Sequence, residues 1–292
     1  MAGLFFPKLT KFAYAHPATT KAFLSLLFFF TSLYLLINNP ETNLAIFRSI
    51  NGLSPQIADW LQLLLTDLGN GLTLGVLMLC CLIKRPELII RVLIASILSL
   101  ILVPLLKQFF DAPRPAAVLE MLHIVGDKRL SHSFPSGHST SAFLFAGTLF
   151  LTCQYYRYKL IFILGAILVA LSRITVGAHW PIDVVMGAIV GLSCAYLASV
   201  FPLVQVSGKV RTSTLATLLV ILIACELSEN SSQLIWPVIL MRWSLIGIAT
   251  LMLLQQHKSV IVQREFCVSK ARQRVKNMVE LGSRSLTQHR KR

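Results

Sequence analysis

Eight predominantly apolar runs, each near the length of a bilayer-crossing helix, set the first constraint on this chain. A hydrocarbon core takes about 20 apolar residues as α-helix. The runs cover residues 22–37, 61–83, 88–106, 139–155, 160–176, 182–201, 212–227 and 234–254, the shorter ones borrowing flanking residues. Only 13% of the residues are charged, against about 25% in a soluble domain. The expected fold is therefore all-α, a polytopic transmembrane bundle of eight helices.

The net charge of +15 resembles a nucleic-acid signal, but its distribution excludes that partner. Ten of the 27 basic residues follow Gln255, and ten more lie in the N-terminal segment or in short loops beside apolar runs. Basic residues collect on the cytoplasmic side of membrane proteins. With the N-terminus inside, the inner segments hold Lys8, Lys11, Lys21, Lys84, Arg85, Arg91, Arg157, Lys159, Lys209, Arg211 and the tail. The outer ones hold Arg48, Lys128 and Arg129 besides the cations discussed below. Both termini are thus expected in the cytoplasm. The first run follows three lysines as a signal peptide would, but Asn38-Asn39-Pro40-Glu41-Thr42 offers no small-residue cleavage site, so an uncleaved first span is expected. The stretch before Tyr14 reads as an interfacial lead-in. In the tail, Phe266, Val275, Met278 and Val279 line one face of a possible helix, either docking on anionic lipid or forming a solvated anchor. The six cysteines, Cys80, Cys81, Cys153, Cys194, Cys225 and Cys267, have no metal-type spacing and read as small apolar side chains, without disulfide or zinc.

Three polar clusters interrupt the apolar pattern: KQFFDAPRP with Lys107 and Arg114, PSGH with Ser136, Gly137 and His138, and SRITVGAHWPID with Arg173, His179 and Asp183. Spans three and five run outward and end at Lys107 and Arg173. Spans four and six run inward and begin at PSGH and HWPID. All three clusters therefore meet on the outer face.

Their chemistry is coherent. Pro181 suits the first turn of a helix, with His179 just before it and Asp183 within it. A carboxylate behind an imidazole fixes one tautomer and raises the basicity of the other nitrogen. The same cluster also reads as an ordinary helix start, with Asp183 complementing the dipole and Trp180 in the interfacial belt. Ser136 and Gly137 open a helix whose free N–H groups favour an anion, and His138 is a candidate proton donor. Ser before an apolar helix is equally an ordinary cap. Lys107 and Arg114 fit a snorkelling role as well. Arg173 sits on the side that otherwise avoids cations, and a guanidinium grips two phosphate oxygens at once.

Taken together, Lys-x6-Arg-Pro, Pro-Ser-Gly-His and Ser-Arg-x5-His-x3-Asp resemble the three signature motifs of the type-2 phosphatidic acid phosphatase superfamily. The resemblance covers residues 22–201. It implies that His179 forms a phosphohistidine, Asp183 orients it and His138 protonates the leaving group. Lys107, Arg114, Ser136, Gly137 and Arg173 then hold the phosphoryl oxygens, and water releases phosphate with no metal or cofactor. The expected organisation is a cytoplasmic or interfacial segment at 1–21, a six-span lipid phosphatase core at 22–201, two additional spans at 202–254 and a basic cytoplasmic tail at 255–292.

Elsewhere, Arg242 lies at membrane depth and is expected to pair with Glu226 or Glu229. Asp67 and Asn70 either support the site or make capping and interfacial hydrogen bonds. The segment with His123, Asp127, Lys128, Arg129 and His132 is expected to cover the site, its cations reading a second phosphate or an acidic headgroup. The implied activity is hydrolysis of a lipid phosphate or diphosphate at the outer face of the cytoplasmic membrane. Undecaprenyl diphosphate leads, followed by phosphatidylglycerol phosphate, phosphatidic acid and lipid A phosphates. Phosphotransfer to another lipid headgroup, or carriage of a lipid phosphate without turnover, are the alternatives.

Overall fold

The computed structural model describes residues 17–204, 206–229 and 234–257. The lead-in before Tyr14, the tail face with Phe266, Val275, Met278 and Val279, and Cys267 lie outside the described residues. Those described are all-helical, in the order α1 Pro17–Ile37, α2 Pro40–Asn51, α3 Asp59–Asp67, α4 Gly71–Lys84, α5 Ile89–Phe110, a short α6 Pro115–Val118, α7 Gly137–Thr152, α8 Tyr156–Thr175, α9 Pro181–Ser199 and α10 Gly208–Ser228. A last helix, α11, spans Trp236–His257.

Among the described residues, six helices are long and apolar enough to cross a membrane, and seven if a bent pair counts as one span. The protein is a multi-pass membrane protein. The second apolar run is not one rod: α3 and α4 meet at 54°, with Asn70 accepting the Leu72 N–H to restart the helix. The fourth run forms α7, whose 16 residues fall short of that length. Much of α7 is buried, including Ala142, Phe143, Ala146, Gly147 and Phe150, so protein rather than lipid covers it.

The centre of the bundle is the contact of α7 with α9. Lipid provides no hydrophobic drive for one apolar helix to leave it for another, so close backbone approach through small residues does that work. Gly187 and Gly191, one turn apart on α9, supply it. A Cβ on Gly187 would lie 2.6 Å from the Ser136 carbonyl oxygen, and one on Gly191 would lie 2.3 Å from that of Thr140 and 2.8 Å from the Leu144 nitrogen. On α7, a Cβ at Gly147 would lie 3.1 Å from Ala195 Cβ. Phe23, Phe30 and Phe150 fill the space outside this contact, with Phe30 edge-on to Phe143 at 4.9 Å.

Helix α2 falls in what the sequence shows only as a connection between spans. Asn39 caps it through the Glu41 N–H at 2.8 Å, and Pro40 stands in its first turn. Its inward face braces the turn between α8 and α9. Asn51 Nδ2 donates to the Thr175 carbonyl at 2.9 Å, Asn43 Oδ1 accepts the Ile182 N–H at 3.1 Å, and Phe47 packs on Trp180 at 5.1 Å.

Arg242, 1% exposed, meets Glu226 at 3.1 Å and also Glu229, so both expected partners are engaged. It additionally holds Asp67, through Nη2 to Oδ1 at 2.6 Å and Nε to Oδ2 at 3.1 Å. The cysteines among the described residues are free.

Gly191→Ala should destabilise the protein by about 1–3 kcal/mol, because the new methyl meets backbone that cannot swing aside. Gly165→Ala, where a Cβ meets nothing within 4 Å, should be neutral or slightly stabilising. Thermal unfolding in detergent compares the two, and equal melting temperatures would contradict this account of the interface.

Candidate active site

The glycine contact sets the first turn of α7 beside that of α9, and the Ser136 N–H donates to the Asp183 carbonyl at 3.0 Å across the junction. His179 reaches this place through the turn after α8. Gly177 has φ +73°, and a Cβ there would lie 2.8 Å from the His123 carbonyl oxygen. A side chain at 177 would meet both backbone strain and a steric block.

The carboxylate of Asp183 organises the turn. Its Oδ2 accepts the Trp180 N–H at 2.9 Å, lies 3.3 Å from His179 Nδ1, and accepts the Ser133 hydroxyl. Ser133 itself approaches His179 Nδ1 at 3.5 Å. On the opposite edge of the ring, His179 Nε2 lies 3.3 Å from Arg114 Nη1. A guanidinium only donates, so Nε2 must be the unprotonated nitrogen and Nδ1 must carry the hydrogen facing Asp183. The Nε2 lone pair therefore points at the cations. His179 is 2% exposed. Burial, and after it the charges of Arg173, Arg114 and Lys107, holds its imidazole well below the ordinary value of about 6.5. It is neutral at neutral pH, as a nitrogen nucleophile must be.

The three cations converge from different elements. Arg114, on the segment after α5, donates from Nε to the Ser131 carbonyl at 2.9 Å and from Nη1 to that of Ala178 at 3.0 Å. Lys107, in the last turn of α5, donates to the His132 carbonyl at 2.6 Å. Arg173, in the last turn of α8, donates from Nη1 to Thr66 Oγ1 at 2.5 Å. Its Nε is buried with no partner. A buried, unpartnered donor on a permanent cation costs stability unless an acceptor arrives, and a phosphoryl oxygen is such an acceptor.

The PSGH residues divide by role. Ser136 is fully buried, and its hydroxyl accepts from Ser139 N at 3.4 Å while lying 3.1 Å from Ser139 Oγ, so it caps α7. Gly137 is the open position: a Cβ there would meet only Val103, at 3.9 Å. At the start of α9, by contrast, the N–H groups of Trp180, Ile182 and Asp183 are all engaged. The start of α7 is thus the end left free to face an anion. His138 packs beside the α3–α4 break, where a Cβ on Gly69 would come within 3.1 Å of its own Cβ.

The loop residues behave unevenly. His132 contributes the carbonyl that Lys107 grips. Arg129 pairs with Asp127 at 3.6 Å in an exposed position. His123 turns toward Ser54 Oγ, 2.8 Å from its Nδ1, and accepts Asn51 Nδ2 on its carbonyl at 2.9 Å. It braces the Gly177 turn, and its imidazole bonds to Ser54 rather than to His179 or the three cations. Sequence reasoning missed Ser133, Thr66, Asn43 and Asn51. Ser133 had a weak signal, standing three residues before Ser136 in SFPS. The others act across more than 70 positions and carry no local signature.

The profile of the PAP2 superfamily matches residues 88–207, which include every motif residue from Lys107 to Asp183. An undecaprenyl-diphosphatase of Sulfolobus acidocaldarius is 29% identical over 181 residues, 60% of this chain and 87% of that protein. A lipid A 1-phosphatase of Rhizobium johnstonii is 40% identical over a shorter stretch of 68 residues, 23% of this chain and 27% of that protein. The crystal structure of Aquifex aeolicus LpxE superposes with a TM-score of 0.50 at 33% identity, covering 54% of this chain and 94% of that one. A relative one-third identical along nearly its whole length, with the same helical architecture, establishes the kinship: this chain belongs to the PAP2 superfamily.

Proposed function

We propose that the protein is a lipid phosphate phosphohydrolase that works through a phosphohistidine on His179. The observation that carries this reading is the imidazole itself, with Nδ1 held toward Asp183 and Nε2 facing Arg114. In the first step His179 Nε2 attacks phosphorus and the bond to the leaving oxygen breaks. That oxygen takes a proton from His138. In the second step water attacks the phosphohistidine, His138 recovers a proton from it, the P–N bond breaks, and inorganic phosphate leaves. Lys107, Arg114, Arg173 and the Gly137 backbone compensate the phosphoryl charge, with Ser136 holding the backbone that presents Gly137. Phosphoryl transfer depends mainly on positioning and charge compensation, so three cations allow the reaction to run without a metal.

The leading substrate is undecaprenyl diphosphate, supported by the diphosphatase relative. Lipid A phosphate is the second candidate, supported by the Rhizobium stretch. In the proposed topology the chain crosses the cytoplasmic membrane eight times with both termini inside, α7 crossing within the shell of the other helices. The site then faces outward and the lipid chain stays in the bilayer.

Phosphate release over a panel of undecaprenyl diphosphate, phosphatidylglycerol phosphate, phosphatidic acid and lipid A tests the reading. Wild type should release phosphate from at least one, with activity unchanged by a chelator. His179→Ala should lose at least about 10⁴-fold. Chelator-sensitive turnover, or activity surviving in His179→Ala, contradicts the mechanism. An added acceptor lipid that becomes phosphorylated in place of phosphate release would favour phosphotransfer.

Arg173→Lys keeps the charge and loses the two-pronged contact, so kcat should fall about 10²–10³-fold, the scale of one lost oxyanion donor. A variant within a few-fold of wild type would remove Arg173 from the phosphate site.

A depressed imidazole pKa keeps the nucleophile unprotonated as pH falls. The acid limb of kcat/KM should therefore lie below about 6.5. A His179 limb at or above that value contradicts the electrostatic environment described here.

A further inference from the structure

The last two helices lie beyond residues 88–207, the stretch matched by the superfamily profile, yet they reach the catalytic centre through one contact chain. It runs through the break between α3 and α4, which also lies outside that stretch. On one side of the break, Thr66 Oγ1 accepts Arg173 Nη1 at 2.5 Å and lies 3.2 Å from Ser172 Oγ. In its middle, a Cβ on Gly69 would come within 2.4 Å of Val169 Cγ1 and 3.1 Å of His138 Cβ, so the backbone is wedged against α8 and the start of α7. On the other side, Asp67 gives both carboxylate oxygens to Arg242 and accepts the Thr73 hydroxyl at 2.8 Å. Arg242 is anchored in turn by Glu226 of α10 and by Glu229 just after it.

Adjacent residues of one broken span thus serve two arginines. Thr66 occupies one nitrogen of Arg173 and leaves Nε without a partner. Asp67, next along the chain, is held by a buried guanidinium from another pair of helices. If that partner is lost, a buried carboxylate stands uncompensated one residue from the hydroxyl that steers Arg173. The break then loses the anchor that fixes the Thr66 hydroxyl against Arg173.

We propose that Thr66, Asp67 and Arg242 are positioning residues for the phosphate site, and that α10 and α11 clamp the α3–α4 break so that Arg173 and His138 are correctly set. The added helices would then be part of the catalytic apparatus rather than an appendage. This rests on the phosphate site described above.

The test measures orthovanadate affinity by titration calorimetry on the purified full chain, together with kcat, KM and melting temperature. Thr66→Val keeps side-chain volume and removes the acceptor. It should weaken vanadate binding and lower kcat by about 10-fold, the usual scale for a hydrogen bond to a charged group, with a fall in melting temperature because Arg173 Nη1 loses its acceptor. Thr66→Ser should recover most of the loss. Arg242→Lys should weaken vanadate binding comparably, although residue 242 does not touch the ligand. Should that variant not fold, Asp67→Asn replaces it, keeping shape and removing the charge. Wild-type vanadate affinity in Thr66→Val, or in the folded Arg242 or Asp67 variant, overturns the proposal. The two readings fail separately. Wild type that binds vanadate but hydrolyses no lipid phosphate sinks the hydrolase reading and leaves these affinities decisive. Wild type that binds no vanadate sinks both.

Discussion

Everything distinctive about this site follows from two backbones being allowed to touch. Helices α7 and α9 are separated in sequence by α8, yet both begin at the same point because Gly187 and Gly191 offer no side chain to hold them apart. With any larger residue there, Ser136 and Asp183 lose the register that lets the amide of one reach the carbonyl of the other. The N–H groups at the start of α9 are taken up by Asp183 and by Asn43 of α2, while the start of α7, capped by Ser136, keeps Gly137 open to an anion. This asymmetry assigns the roles. The α9 start presents a fixed imidazole, and the α7 start presents the backbone at Gly137.

The electrostatics have the same logic. Three cationic side chains and one carboxylate surround a neutral ring, which is an unfavourable arrangement while empty. Lys107 and Arg114 relieve it by gripping carbonyls at 131, 132 and 178, and Arg173 relieves it only in part. Loop carbonyls are weak substitutes for phosphoryl oxygens. A dianion therefore gains affinity from donors already aimed inward, without a large reorganisation of the framework.

The sequence displayed the candidate site residues because each stands at the end of an apolar run, where a polar side chain is conspicuous and helix-start chemistry is local. Pro181 and Asp183 could be placed within one turn before any fold was known, and both are in the first turn of α9. The partners of those residues were illegible for a physical reason. Ser133, Asn43, Asn51 and Thr66 are ordinary polar residues in ordinary turns and helices, and only tertiary contact gives them work. Arg242 was recognisable as needing a carboxylate, and Glu226 and Glu229 were near enough in sequence to be named. Asp67, 175 positions away, was not. Hydropathy likewise showed a continuous second run and a fourth of ordinary promise, because it does not register the bend at Asn70 or the enclosure that lets α7 be short.

That shortness bears on where the chemistry occurs. Sixteen helical residues rise about 24 Å, against a hydrocarbon core of about 30 Å. If the end of α7 at Thr152 sits level with one boundary of that core, its opening glycine lies several ångströms beneath the other. A lipid would then reach the candidate site by letting its phosphate sink, not by lifting its tail out of the oil.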